Sequence, residues 1–173
     1  LFIFTNSPFK TQSYINRILK DEYSAQPDGL SGNEDCGQMS AWYVMSSLGL
    51  YTIQPGQTQY QVGLPQFDKI TIWLENGKKF TITNSGTGVS FQNIYLQGMT
   101  FNNSPYNKLY VEDKDIQSGG TWDVYTGRLA NKLFMQDLVK PVSAITDSLI
   151  VSNPYFSNSS PSFKKPFDLE IKS

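Results

Sequence analysis

The 173-residue chain contains no histidine and a single cysteine. Without histidine, neither a Ser/His/Asp nor a Cys/His catalytic unit can be assembled from its own side chains, and histidine-ligated zinc is excluded. A lone Cys36 rules out an internal disulfide. Charged residues make up only 17% of the chain and nearly balance, with a net charge of -1. That balance gives no electrostatic reason to expect nucleic acid or an anionic membrane as a partner. No apolar run reaches the length of a membrane span, and no basic segment followed by an apolar stretch opens the chain. Acid–base chemistry must therefore rest on carboxylates, on Lys or Tyr, or on a second chain.

What is present reads as a soluble globular composition with many aromatics, ten Tyr and eleven Phe among them. Residues 8–24 carry Tyr14, Ile15, Ile18, Leu19 and Tyr23 on one face at helical spacing, with Pro8 suited to the first turn. Gln26-Pro27-Asp28-Gly29 closes that helix and opens a loop. A second helix is expected over about 38–48, with Gly49 where a left-handed C-terminal cap belongs. Beyond Pro55-Gly56 the apolar period changes to two. Ile70, Ile72 and Leu74 alternate before Asn76-Gly77, and Phe80 and Ile82 after it, which is a hairpin signal. Further strands are expected near 59–62, 91–97, 108–113 and 121–125. Residues 129–148 are ambiguous between a short helix and a linker, and 152–166 read as a linker. Both ends read as interrupted, inside the apolar Leu1-Phe2-Ile3-Phe4 and in a strand-like Phe167-Asp168-Leu169-Glu170-Ile171.

Chemistry is densest in Asp28-Gly29-Leu30-Ser31-Gly32-Asn33-Glu34-Asp35-Cys36-Gly37-Gln38. Three glycines allow tight turns and close approach by a ligand. Three carboxylates and two amides precede a helix N-terminus, whose partial positive charge favours an anionic side chain. A bland alternative stands beside this one: Asp35 or Asn33 is also a good helix cap. Trp42 and Tyr43, at helical spacing, read as core before they read as a platform for a sugar.

Gly32-Asn33-Glu34-Asp35-Cys36-Gly37-Gln38-Met39-Ser40-Ala41-Trp42-Tyr43-Val44 resembles the signature of glycoside hydrolase family 92, a family of calcium-dependent exo-α-mannosidases. Phe9-Lys10-Thr11-Gln12, Pro27-Asp28-Gly29-Leu30, Leu48-Gly49-Leu50-Tyr51, Gly63-Leu64-Pro65-Gln66-Phe67-Asp68-Lys69 and Asp115-Ile116-Gln117-Ser118-Gly119-Gly120 resemble other family segments in the expected order. The likeness covers about residues 1–126. It implies an α+β chain: the last helices of an (α/α)6 barrel with the catalytic-base loop over 1–55, then a small, sandwich-like antiparallel β unit over 56–128. Residues 129–173 would be a linker and the start of a truncated further β module.

The resemblance further implies hydrolysis of terminal α-mannosides with inversion. Asp35 matches the family's general base, and Asn33, at a position often Asp in relatives, would orient the base or its water. Glu34, Gln38 and Trp42 would bind substrate. An inverting pair of carboxyl groups stands roughly 6.5–9.5 Å apart, leaving room for the attacking water. No segment here resembles the surroundings of the family's acid, so the chain is expected to be an inactive fragment lacking that acid. Calcium is implied as cofactor, with ligands mostly outside the chain. The implied partners are a mannose-containing glycan and the remainder of the barrel, in the same or another chain, in a periplasmic, cell-surface or secreted setting. The alternative is a non-catalytic carbohydrate-binding or structural β module.

Overall fold

In the computed structural model the described residues are 1–54, 56–85 and 92–142, together with two short strands at 155–156 and 171–172. A 3-10 turn at Phe2–Phe4 leads into helix α1, Pro8–Asp21. Proline is tolerated there because the first turn has no intrahelical acceptor for its missing N–H. The helix ends earlier than its apolar periodicity suggests. Glu22 donates its N–H to Ile18 O and closes the last turn, and Tyr23 then pairs with Leu30 in an antiparallel bridge. Tyr23 is half-buried there, on extended chain and not on the helix.

Helix α2 spans Gln38–Leu48. Gly49 terminates it in the left-handed conformation, at φ 82° and ψ 19°, with its N–H on the carbonyls of Met45 and Ser46. The Gly63 N–H donates to Gly49 O at 2.7 Å. This locks the end of α2 to the strands that follow.

The strands form two sheets in this part of the chain. β1 (Leu50–Tyr51), β2 (Gln59–Val62) and β7 (Tyr110–Glu112) make one, in the order β1-β2-β7. The other has the order β3-β4-β8-β5-β6, from β3 (Lys69–Trp73), β4 (Lys79–Asn84), β5 (Tyr95–Phe101), β6 (Ser104–Pro105) and β8 (Gly120–Gly127). Strands β3 and β4 are the hairpin expected from Asn76-Gly77. Gly77 sits at φ 80°, and Asn76 Oδ1 accepts the Lys78 N–H at 3.0 Å. Strand β5 begins at Tyr95, later than expected, and a bulge lies between Leu96 and Gly98. All pairings within these two sheets are antiparallel except β4 with β8, which run parallel. The β unit is thus antiparallel in its hairpin edges and mixed at its centre.

Alternation in β4 and β8 sends Phe80, Ile82, Trp122 and Val124 inward, all at 0% exposure. The inner row ends in a polar pair, Thr126 Oγ1 donating to Asn84 Oδ1 at 2.8 Å. Helix α1 is tied to this layer by Gln12, a buried side chain whose Oε1 accepts the Leu96 N–H at 3.1 Å. That bond supplies an acceptor for a backbone N–H beside the bulge, where the strand ladder is interrupted.

Helices and strands share one hydrophobic core that runs from Ile3 through Leu50, Val62, Phe80 and Trp122 to Leu138. After β7, a short helix α3 (Asp113–Ser118) turns the chain into β8. The segment after β8 remains packed, with α4 at Lys132–Gln136 and with Met135 and Leu138 buried. Leu1–Pro141 therefore form one compact unit, and neither residue 55 nor residue 128 marks an edge of it. Val142–Ser173 form a second unit, in which β9 (Tyr155–Phe156) pairs antiparallel with β10 (Ile171–Lys172). The expected linker residues 157–166 lie outside the described residues.

Candidate active site

The loop between α1 and α2 is folded by its own backbone. Ser24 N–H donates to Gly29 O and Gly29 N–H to Gln26 O, both at 2.9 Å. A Cβ at Gly29 would stand 2.0 Å from Ser24 O, so only glycine permits this reversal. Ser31 Oγ donates to Glu22 Oε2 at 3.0 Å and fastens the returning strand of the loop to the end of α1. The chain then arrives at the N-terminus of α2 through three consecutive left-handed residues, Asp35 (φ 47°), Cys36 (φ 60°) and Gly37 (φ 96°). For the two non-glycine members that conformation costs about 1–2 kcal/mol each.

Two of the expected cap residues do not cap. Asn33 and Asp35 are exposed, and neither side chain has a hydrogen-bond partner among the described residues. Glu34 takes the part instead. Its Oε1 accepts the Ser40 N–H at 3.2 Å, and its main-chain oxygen accepts the Met39 N–H at 3.3 Å. Asp35 O accepts the Gln38 N–H at 3.4 Å. The other carboxylate oxygen of Glu34, Oε2, is buried with no hydrogen-bond partner among the described residues. Glu34 was expected to contact sugar. Here one oxygen is held by the helix and the other is sealed from solvent.

An aromatic cluster stands beside the turn. Tyr23 stacks on Trp42 with ring centroids 5.6 Å apart and tilts against Tyr43 at 5.0 Å. Burial first, then the negative charge of Glu34 and the neighbouring Tyr51, push the Tyr23 hydroxyl above its ordinary pKa, so it stays protonated. Glu22, Tyr23, Ser31, Gln38, Met39 and Trp42 line an open cleft of about 530 Å³. The structure thus brings Gln38 and Trp42 into one cleft. Asn33 and Asp35 lie on the exposed turn that leads into Gln38, not among the cleft-lining residues.

Glu22, Tyr23 and Ser31 were missed as cleft residues from sequence. On the helix expected over 8–24 Glu22 reads as a polar-side residue, and only the tight turn at Pro27-Asp28-Gly29 hints that residues near 23 and 31 meet. Among the described residues, no three His, Cys, Asp or Glu side chains gather into a group that could hold a metal ion. The described residues thus offer no carboxylate cluster of the kind that holds calcium by itself.

Residues 1–128 match the family model for the glycosyl hydrolase family 92 catalytic domain. The chain belongs to glycosyl hydrolase family 92. A family GH92 α-mannosidase from Bacteroides thetaiotaomicron, solved in complex with mannoimidazole, is 32% identical and superposes with a TM-score of 0.75. That match covers 81% of this chain and 18% of the other. A family GH92 inverting mannosidase from the same organism is 28% identical, with a TM-score of 0.70, over 77% of this chain and 18% of that one. Among curated proteins, an uncharacterized secreted glycosidase of Arthroderma benhamiae is 25% identical over 129 residues, which is 74% of this chain and 17% of the relative. This family 92 chain therefore spans less than a fifth of the length of each of these three relatives. Among its described residues no helix is long and apolar enough to cross a membrane.

Proposed function

We propose that this family 92 chain is the base-bearing part of an inverting exo-α-mannosidase that removes terminal α-mannose from glycans. In this reading Asp35 deprotonates the water that attacks the anomeric carbon, and Asn33 orients the base or that water. Gln38 and Trp42 contact the sugar from the adjoining cleft. The observation that carries the reading is the state of Asp35: an exposed carboxylate with no partner among the described residues, on a left-handed turn at the start of α2. A general base needs a free acceptor that water can reach. A cap would instead have its oxygen on the first-turn N–H groups, and Glu34 already fills that office.

The rest of the machinery lies outside this chain. A general acid protonates the departing oxygen in an inverting glycosidase, and the remainder of the barrel is proposed to supply it. Helix α2 supports that partner. It is apolar around nearly its whole circumference, buries Ser46 and Ser47, and leaves Val44 55% and Tyr43 39% exposed. A helix apolar on all sides belongs between layers of a larger body. The hydroxyls of Ser46 and Thr11 are buried without hydrogen-bond partners among the described residues. Calcium is proposed to be held by ligands from outside this chain, supplying charge at the sugar hydroxyls. A periplasmic, cell-surface or secreted location is proposed from the secreted relative.

The test is substitution of Asp35 in the enzyme with its complete catalytic domain. Asp35→Asn and Asp35→Ala should lower kcat by about 10²–10⁴-fold or more, while Cys36→Ala, exposed on the same turn, keeps most of the turnover. Near-normal turnover in either Asp35 variant removes the proposed base. Separately, the 173-residue chain alone should not hydrolyse an α-mannoside. Activity there would mean that the acid is within it.

A further inference from the structure

The side chain of Asp35 has no bond that fixes its direction among the described residues, so the backbone turn, which sets the direction of its Cα–Cβ bond, governs the region its carboxylate can reach. That turn is three left-handed residues long, 35 to 37. Glu34 ties it across its whole span. The main-chain oxygen of Glu34 holds Met39 N–H, and its Oε1 holds Ser40 N–H. The side chain passes over Gly37, where an added Cβ would stand 3.9 Å from Oε1.

We infer that Glu34 is a positioning residue for the base: a strap that keeps the 35–37 turn left-handed and so aims Asp35. This rests on the reading of Asp35 given above, and it replaces the expected sugar contact by Glu34. Two features favour a strap over an ordinary cap. A helix cap is normally supplied by the N-cap side chain itself, whereas here the N-cap is Gly37 and the acceptor comes from three residues earlier. Reaching back over that distance closes a ring around the left-handed residues, which an Asp or Ser at 37 would not do. The strap also leaves Oε2 buried and unpartnered among the described residues.

The experiment compares Glu34→Ala, Glu34→Met and Glu34→Gln in the enzyme with its complete catalytic domain, using para-nitrophenyl α-mannoside as the probe. Met keeps the bulk of the side chain without an acceptor, and so serves where Ala fails to fold. Gln keeps an oxygen for Ser40 N–H. A misaimed base costs rate more than affinity, so Ala and Met should lower kcat by about 10–100-fold with KM within about twofold. Gln should recover kcat to within about threefold of the parent. A raised KM with unchanged kcat would make Glu34 a sugar contact and overturn the strap. A lowered melting temperature with unchanged kcat would leave it a cap only, and overturn it equally. Gln as slow as Met would show that charge, not the acceptor, matters, which also defeats the proposal. Asp35→Asn is measured alongside. If it stays active, the base reading fails; if it is inactive while Glu34→Met is normal, only the strap fails.

Discussion

Gly49 fixes where the site-bearing helix ends, and the cost of giving it a side chain can be worked out from its neighbours. Alanine at 49 faces two separate penalties. The first is the left-handed backbone at φ 82°, worth about 1–2 kcal/mol for an L-residue. The second is steric. The new Cβ would lie 2.7 Å from Pro65 N and 2.9 Å from Leu64 C. Those are backbone atoms that no rotamer change can move, and overpacking of that kind costs about 1–3 kcal/mol. Gly77, at the tip of the β3–β4 hairpin, isolates the first penalty. Its φ is 80°, and nothing lies within 4 Å of its would-be Cβ. Gly77→Ala should therefore lose about 1–2 kcal/mol, and Gly49→Ala about 2–5 kcal/mol. In urea, with a slope of about 1–3 kcal/mol per molar, a clash of about 2 kcal/mol separates the two midpoints by about 1 M. Unfolding followed by circular dichroism reads that gap. Because the displaced residue anchors α2, Gly49→Ala should also lower turnover of the complete enzyme, and Gly77→Ala should not. Equal midpoints for the two variants would refute the steric argument, and with it the claim that Gly49 pins the helix.

Two other sites make independent predictions. Gln12→Ala should cost about 1–3 kcal/mol in unfolding measurements, since it strands the buried Leu96 N–H at the β5 bulge; a loss below about 0.5 kcal/mol would mean that water or a strand shift repairs the gap. Tyr106 donates to Tyr110 O at 2.7 Å, and burial, with Asp115 next in importance, raises its hydroxyl above the ordinary 10.0. A raised folded-state pKa means stability that is fully present below about pH 10 and drains away as pH rises further. Tyr106→Phe should accordingly cost about 1 kcal/mol near neutrality and flatten the alkaline loss. An unchanged alkaline slope would remove Tyr106 as its source.

How much of this was legible in the sequence depended on whether the deciding interaction was local. The span of α2, its glycine terminus and the Asn76-Gly77 hairpin follow from residues a few positions apart, and sequence periodicity found them. The parallel pairing of β4 with β8 did not, because it joins segments some forty residues apart that each look like half of an antiparallel edge. The same limit governs the site. Asn33, Glu34 and Asp35 are all competent to receive a helix N–H, and propensity favours the first and third over the second. What reverses the order is the run of left-handed torsions at 35–37, which swings Asp35 outward and brings the longer Glu34 side chain back over Gly37 to Ser40. The doubled-back loop before it, held by Ser31 on Glu22 and by the Tyr23–Leu30 bridge, delivers the chain to that run. A cap assignment made from three adjacent letters had to miss it. The same torsions give the adjacent carboxylates their different surroundings, one engaged with the helix and one free to meet water. A chain that needed only to start the helix could have placed its acid at the N-cap itself, position 37.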